Sequence, residues 1–470
     1  MKDLTTGDEG KSIFLFTMPM LIGSLFQQLY NTADSIIVGQ FIGKDAMAAV
    51  SGANPIMFLL TSLLLGISLG FSILISQYYG SKDIKNVKAT IDTTYVFVFI
   101  TSIIITIIGI TCSGILLKFM NTPDAVYEQS RLYLIVIFSG TLFSAGYNSV
   151  SAILRGLGDS TTPLYFLIIS TILNILLDIL FIIKFNMGVE GVALATIIAQ
   201  GVSFIISVIY LNKKHKVLKF RIKGIIYSHS IFKTGLKLGI PSGIQQMLFS
   251  FGNIALQSLV NGYGTSAMAA FGASSRVETF ISLPIMNLGA AISTFVAQNM
   301  GAGEMTRVKN GVRSSLKMSL GISIFVIIIF VIFKEDLISL FNSDADVVSI
   351  GSSYLMITGP FFVFICVSFI LSSAIKGAGD SMFAMISSII SLWLARIPAA
   401  YLFSKIFGVN GIWMGIPVGW IIGFIITVIY YKKGKWKSKA IVNHKICTTD
   451  EFDGNNFTTP EIASTNYESE

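Results

Sequence analysis

Charge is scarce in this chain, and its scarcity excludes most soluble folds. Only 12% of the 470 residues are charged, whereas soluble proteins carry about 25%. Cysteine and histidine are scarce too, with three residues of each. The cysteines, Cys112, Cys366 and Cys447, are too far apart in sequence to suggest a disulfide framework or a metal site. The histidines all fall in polar segments, so we find no enzyme constellation and predict no catalytic residue and no bound organic cofactor.

Hydrophobic residues make up 53% of the chain, and the mean hydropathy is +0.74. A soluble fold of this size could not bury so much apolar surface, so the composition predicts an integral membrane protein with the lipid bilayer as its surroundings. The net charge of +8 then informs topology, and we expect no nucleic-acid partner. The letters GKS at 10–12 suggest a phosphate-binding loop, but Thr5 stands where that motif needs glycine. We find no other nucleotide signature, which argues against an ATP-driven pump.

Twelve segments are long and apolar enough to be membrane-spanning helices, since a span needs roughly 20 mostly apolar residues. They cover about 13–41, 53–79, 92–117, 131–154, 163–183, 189–211, 236–260, 277–299, 316–333, 352–375, 383–404 and 409–431. The predicted domains are an N-terminal six-helix lobe (1–211), a cytoplasmic connecting loop (212–235), a C-terminal six-helix lobe (236–431) and a disordered cytoplasmic tail (432–470). The fold class is therefore all-α.

Lysine and arginine concentrate on one side of the predicted spans, which sets the orientation. That side holds three lysines at 82–88, six basic residues at 213–223, three at 307–313 and the run KKGKWKSK near the end, whereas the opposite loops hold mostly single charges. We therefore expect a multi-pass protein with both termini in the cytoplasm.

The two halves of the chain are repeats. AMAA at 46–49 recurs at 267–270, an offset of 267 − 46 = 221 residues. QYYG at 77–80 matches QNMG at 298–301, and RGLGDS at 155–160 matches KGAGDS at 376–381, both at the same offset. Six spans per repeat is an even number, so both halves cross the membrane in the same sense, as in parallel-repeat transporters. We interpret the second and third motifs as helix ends, with Asp159 to Thr162 capping the next helix and Arg155 anchoring the cytoplasmic interface.

Polar residues inside the first half carry the functional prediction. Gln27, Asn31 and Asp34 share one face of the first span, and Asn174 and Asp178 share one face of the fifth. A charge at the bilayer centre costs at least about 2.5–3.5 kcal/mol, so intramembrane acids usually mark ion or proton paths. A helix-to-helix hydrogen bond involving a permanently protonated acid is the structural alternative. Pro19 interrupts the first span, as either a static kink or a moving hinge.

The second half lacks these acids. It keeps an uncharged polar stripe on the seventh span, formed by Gln246, Ser250, Asn253 and Gln257. We predict that Gln246, Asn253 and Gln257 line a substrate cavity together with Gln27 and Asn31. Its membrane charges are Arg276, Glu278 and Arg396. An ion pair between helices and a role in substrate binding are both open for these three.

Twelve spans in two parallel halves, with P…NTADSIIVG in the first span, resemble the multidrug and toxic compound extrusion (MATE) family over about residues 10–432. The resemblance is to its bacterial DinF-like branch, in the YoeA/MepA-type section, because the acids of the NorM-like branch are missing from the second half. It implies two lobes in a V shape and a monomeric drug:cation antiporter in the bacterial plasma membrane. It also implies a cation site formed by Asp34, Asn174, Asp178 and Thr196, and a bend point at Pro19.

Two other functions stay open from the sequence. The first is a flippase for lipid-linked or polysaccharide precursors from the same superfamily, for which Arg276 and Arg396 are the only support. The second is a channel, which the repeat and the acids in one half disfavour. The residue types do not separate H⁺ from Na⁺ as the coupling ion, and no other metal is expected.

Overall fold

The computed structural model describes residues 3–120, 122–214, 219 and 224–442. Within these residues the chain is all-α, which confirms the predicted fold class, and it forms fifteen α-helices. They are α1 (Glu9–Ile37), α2 (Lys44–Gly80), α3 (Ile84–Phe119), α4 (Asp124–Ser139), α5 (Thr141–Gly156), α6 (Thr161–Ile179), α7 (Val189–Lys214), α8 (His229–Asn261), α9 (Thr265–Gly301), α10 (Met305–Ser339), α11 (Ala345–Thr358), α12 (Phe362–Gly377), α13 (Ser381–Ile389), α14 (Ile397–Phe407) and α15 (Val409–Lys433).

Each predicted span overlaps one of these helices or a consecutive pair of them. In the described part of the chain, ten helical segments are long and apolar enough to cross a membrane, and the pair α4 and α5, bent by 52°, makes eleven. The predicted seventh span lies within α8, which is long enough at 33 residues. It carries many polar residues and glycines, so its apolarity is lower than that of the other segments.

Regular α-helix is interrupted at several points in the described part of the chain. Three π-helical segments, Val38–Ile42, Leu180–Lys184 and Ile390–Arg396, extend α1, extend α6 and join α13 to α14. Between α4 and α5, a Cβ on Gly140 would lie 2.3 Å from Ile197, so the bend there brings the backbone against α7. By contrast, α1 runs without a break through Pro19. The hinge at Pro19 stays a prediction.

Apolar clusters show where the two halves of the chain meet. One cluster lies within the first half, among α1, α2, α4 and α7. Another lies within the second half and contains residues of most of its helices, from α8 to α15. A third joins Ile13 and Phe16 of α1 to α9, α10 and α12, and a fourth joins α2 to Leu238 of α8. Both joining clusters lie toward the end where α1 begins and α2 ends. The halves therefore pack together at that end.

Two glutamines join the halves at this end. Gln77 Nε2 near the end of α2 donates to the Gly377 carbonyl of α12 at 3.1 Å, and Gln298 Nε2 near the end of α9 donates to the Gly156 carbonyl of α5 at 2.9 Å. The two bonds are related by the repeat, since 298 − 77 = 221 and 377 − 156 = 221. We call this crossing, with Gly80 and Gly301 beside it, the closed end. The motifs interpreted only as helix ends thus also connect the two halves.

Glycine is required where α2 and α9 cross. A Cβ on Gly80 would lie 1.9 Å from the Gln298 carbonyl oxygen, and one on Gly301 would lie 1.9 Å from the Gln77 carbonyl oxygen. Real Cβ atoms do not approach a backbone oxygen so closely, so only glycine permits this contact. The two backbones consequently touch at the closed end.

Segments from both ends of the described chain complete the closed end. The Leu4 amide donates to Gln298 Oε1 at 3.3 Å, and the Ile441 amide donates to Gln77 Oε1 at 2.8 Å. The tail was predicted to be disordered from residue 432. This prediction is wrong for residues 434–442, which have a defined structure. The chain turns at Gly434 (φ 71°) and buries the Trp436 indole, whose Nε1 donates to the Tyr431 carbonyl at 3.0 Å. The rest of the predicted tail, like most of the loop at 215–223, lies outside the described residues.

The interpretation of RGLGDS as a helix end and cap is confirmed. Asp159 Oδ1 accepts hydrogen bonds from the amides of Thr161 and Thr162, at 3.2 and 3.0 Å. A carboxylate that accepts free amides at a helix start typically contributes about 1 kcal/mol. Arg155, interpreted as an anchor at the cytoplasmic interface, lines a cavity, and its role at the interface stays a prediction.

Candidate ion-binding site

Three packed helices bring the predicted cation-site residues together. Asp34 lies near the end of α1, Asn174 and Asp178 lie one turn apart on α6, and Thr196 lies in the second turn of α7. Helix α6 packs against both α1 and α7. Asn174 and Asp178 face the same way because residues four apart lie on one side of a helix. They therefore share a face of α6 between the other two helices.

The Asn174 amide is the centre of the cluster. In the amide orientation that satisfies all its neighbours, its nitrogen donates to Asp34 Oδ1 and to Asp178 Oδ2, each at 3.1 Å. Its oxygen accepts from the Thr196 backbone amide at 3.3 Å. The two carboxyl groups are also near enough to each other to interact electrostatically. All four residues of the predicted cation site are thus in one connected group.

Tyr30 belongs to the same group, and the sequence analysis missed it. Its hydroxyl lies 3.1 Å from Thr196 Oγ1 and is near enough to the Asp34 carboxyl to interact with it electrostatically. The signal was available, because Tyr30 and Asp34 are four residues apart and so share a face of α1. The Tyr133 hydroxyl of α4 is near enough to interact with both carboxyl groups. Tyrosine hydroxyls can donate to a carboxylate or accept from a neighbour.

Burial differs across the group. Asp178 and Asn174 are 0% and 1% exposed, whereas Asp34, Thr196 and Tyr30 are only partly buried. Asp178 Oδ1 is buried and has no hydrogen-bond partner among the described residues. An unpartnered buried carboxyl oxygen beside a second carboxyl is a place where one proton or a small cation can be held. The carboxylate and hydroxyl oxygens present are hard donors of the kind that Na⁺ prefers.

The predicted substrate-cavity residues do not form one cluster. Gln27 lines a cavity of about 200 Å³ between α1, α5, α6 and α9, and its Nε2 lies 3.4 Å from Asn31 Oδ1. Asn31, Gln246, Asn253 and Gln257 are absent from the wall of this cavity. Gln246 is exposed, and Gln257 donates to Asn261 Oδ1 at 2.9 Å within α8. Pro19 does line the cavity, one side of which is formed by Asn287 of α9.

The three charges of the second half are not ion-paired with one another. Within the described ranges, neither arginine lies within 4.0 Å of the Glu278 carboxylate, so the ion-pair alternative is wrong for this structure. Glu278 Oε2 instead accepts from the Tyr354 hydroxyl at 2.5 Å. Arg276 is exposed near the ring of Phe341, and the buried Arg396 has an unpartnered Nε. The Tyr354 hydroxyl, and neither arginine, is therefore the hydrogen-bond partner of the Glu278 carboxylate.

Comparison with known proteins gives matches along the whole helical part of the chain. The MatE family model matches residues 19–180 and 241–402. The probable multidrug resistance protein YpnP of Bacillus subtilis is 34% identical over 444 residues, which is 94% of this chain and 99% of YpnP. YoeA of the same organism, also described as a probable multidrug resistance protein, is 33% identical over 440 residues, or 92% and 95% of the two chains.

A solved structure has the same fold. It is the outward-facing conformation of a multidrug resistance MATE family transporter of the MOP superfamily, with a TM-score of 0.86 and 25% identity. The match covers 92% of this chain and 98% of the other. The two segments matched by the family model start 241 − 19 = 222 residues apart, close to the offset of the internal repeat.

Proposed function

The chain belongs to the MatE family of multi-pass membrane transporters, and on that premise we propose that it is an antiporter exporting drugs in exchange for H⁺ or Na⁺. The observation that carries the proposal is the bridge formed by Asn174 between the carboxyl groups of Asp34 and Asp178. The compounds proposed are amphipathic, often cationic, small molecules. Relatives described as probable multidrug resistance proteins support this substrate class.

The site has the chemistry that ion coupling needs. Two adjacent carboxyl groups in a poorly solvated place resist both being charged, so the site favours binding one proton or one Na⁺. Asp178 lies at its buried bottom and Asp34 at its partly exposed opening. An ion entering past Asp34 can be held between the two acids, with the Thr196 and Tyr30 hydroxyls as neutral ligands, while the Asn174 nitrogen donates to both carboxyl groups. Because a ligand shifts a two-state equilibrium only by its differential affinity, ion binding must favour one arrangement of the lobes.

Dye efflux under imposed gradients tests the coupling. Purified protein in vesicles should move a fluorescent cationic dye against its gradient when an opposed proton or sodium gradient is applied. The dye should in turn drive proton or sodium flux in the opposite direction. Equal dye movement with and without any ion gradient would refute antiport and support a channel.

The substrate path should also involve α8. The partly exposed Asn253 and the exposed Gln246 leave polar groups unburied on a helix that packs against α2 of the other half. We expect Asn253→Leu and Gln246→Leu to change the relative affinities for chemically different dyes about threefold to tenfold, since one lost hydrogen bond costs about 0.5–1.5 kcal/mol. The ion dependence of efflux should not change. Thr234→Val near the start of α8 serves as the control, because its hydroxyl already donates to the Ser230 carbonyl of the same helix.

We further propose that both termini and the loop at 212–235 are cytoplasmic, in the bacterial plasma membrane, and that one chain suffices for transport. Single cysteines introduced at 220 and, as the opposite control, at Lys44 test the orientation after Cys112, Cys366 and Cys447 are replaced. An impermeant maleimide added to intact cells should label position 44 and leave position 220 unlabelled. The reverse pattern would overturn the orientation.

A further inference from the structure

A cavity near the closed end carries a cation that no acid neutralises. The cavity of about 200 Å³ lies between α1, α5, α6 and α9, and its wall includes Pro19, Gln27, Tyr147, Arg155 and Asn287. None of the residues in the wall is acidic, and Arg155 is the only charged one. We call it the Arg155 cavity.

The Arg155 guanidinium has free donors. A guanidinium offers five N–H groups and no acceptor, and in the described ranges Arg155 forms no hydrogen bond and has no carboxylate within 4.0 Å. The Tyr147 hydroxyl is the titratable neighbour with which it interacts. The partly buried Lys88 differs, since it is paired with Asp92 at 2.5 Å. A partly buried guanidinium facing a cavity is most stable when an anion accepts its hydrogen bonds.

The rest of the wall suits an amphipathic molecule with an acidic group. The wall also has apolar residues, Met20, Leu164 and Leu167, and neutral polar ones, namely Ser24, Gln27, Asn148, Ser151, Ser160 and Asn287. Ser24 and Asn287 bond to each other at 2.9 Å and so close the wall between α1 and α9. A volume of about 200 Å³ is below the roughly 300–1,000 Å³ of a drug-sized site. The cavity therefore accommodates one group of a larger compound.

We propose that the Arg155 cavity binds the carboxylate or phosphate group of a transported amphiphile. This rests on the proposed export function for naming a transported compound, but the anion site itself does not depend on transport. The planar guanidinium can bind such a group through two parallel hydrogen bonds. Gln27 lies seven residues before Asp34 on the same face of α1, about 10 Å along the helix. The anion site and the ion-binding site are thus neighbours on one helix.

Rhodamine B and its ethyl ester provide matched probes, because they share one ring system and differ in a free carboxylate. Binding to purified protein and transport into vesicles should be measured for both dyes with wild type, Arg155→Gln, Arg155→Lys and Lys376→Gln. Lys376 is the matched control, since it occupies the equivalent repeat position but is absent from the wall of the cavity.

Wild type should bind rhodamine B at least about tenfold more tightly than its ester, since a hydrogen bond to a charged group contributes about 1.5–3 kcal/mol. Arg155→Gln should remove this preference while still binding the ester, Arg155→Lys should keep part of it, and Lys376→Gln should keep all of it. Equal losses for both dyes in Arg155→Gln, or no preference in wild type, would overturn the anion site.

Two further arms separate the anion site from the transport function and from lipid. If wild type shows the Arg155-dependent binding preference but transports neither dye, the anion site stands and the proposed export function fails. Repeating the assay in vesicles containing phosphatidylglycerol distinguishes the source of the anion. A preference for rhodamine B that survives there supports a transported compound. If phosphatidylglycerol instead abolishes the preference that depends on Arg155, the site binds a lipid phosphate, and its role in substrate binding is overturned.

Discussion

Asp34→Asn should reduce gradient-driven dye efflux to the background of empty vesicles. The substitution preserves the size of the side chain and its contact with the Asn174 amide, so the fold should persist. It removes the carboxyl group at the opening of the site, and an amide neither takes up a proton nor balances the charge of Na⁺. Without that change of charge, an ion gradient has no differential interaction with the two arrangements of the lobes. Dye binding to purified protein should remain.

The neighbouring residues should give a graded series in the same efflux assay. Asp178→Asn should be severely impaired, since it removes the buried acid, whereas Thr196→Ala should lose only a few-fold because water can replace one neutral ligand. Asp45→Asn, which removes an exposed acid at the start of α2, is the control and should transport normally. Efflux at the wild-type rate in Asp34→Asn would remove Asp34 from the coupling site.

Gly80→Ala should prevent the closed end from forming as described. The added Cβ would lie 1.9 Å from the Gln298 carbonyl oxygen. This backbone oxygen can move aside only if α9 moves with it. Overpacking of this kind typically costs about 1–3 kcal/mol, and 2 kcal/mol changes the ratio of two states about 30-fold. The Gln77 and Gln298 crossing should therefore open in most molecules. Spin labels on cysteines replacing Lys85 and Lys309 should report a longer distance than in the unsubstituted protein, and efflux should fall about tenfold or more.

Two glycines on the same helices are matched controls for this substitution. Gly52 of α2 and Gly272 of α9 have nothing within 4 Å of an added Cβ. Gly52→Ala and Gly272→Ala should leave the label distance and the efflux rate unchanged. An unchanged distance in Gly80→Ala, at normal expression, would mean that the two backbones do not cross this closely in the membrane.

The sequence identified most of the residues that the structure brings together in the candidate ion-binding site, because helical spacing is a local property. Asn174 and Asp178 share a face at any helix orientation, and an acid in an apolar span such as Asp34 stands out by its cost. Tyr30 was missed because the sequence alone does not show which of several roles a tyrosine in an apolar helix has. The closed end could not be predicted, since Gln77 and Gly377 are 300 residues apart and nothing local marks which carbonyl a glutamine side chain will reach. The Arg155 cavity could not be predicted for the same reason, because four helices form its wall.

The closed end also sets an order for biosynthesis. Gln77 Oε1 accepts its hydrogen bond from the amide of Ile441, which follows 364 residues later in the chain. A ribosome making about 5–20 residues each second therefore releases α2 roughly 20–70 seconds before the Ile441 amide emerges. The N-terminal segment reaches Gln298 from Leu4, 294 residues earlier, so it must wait for α9. The first lobe can thus be inserted and folded early, but the contact between the lobes is completed only when nearly the whole chain has been synthesised.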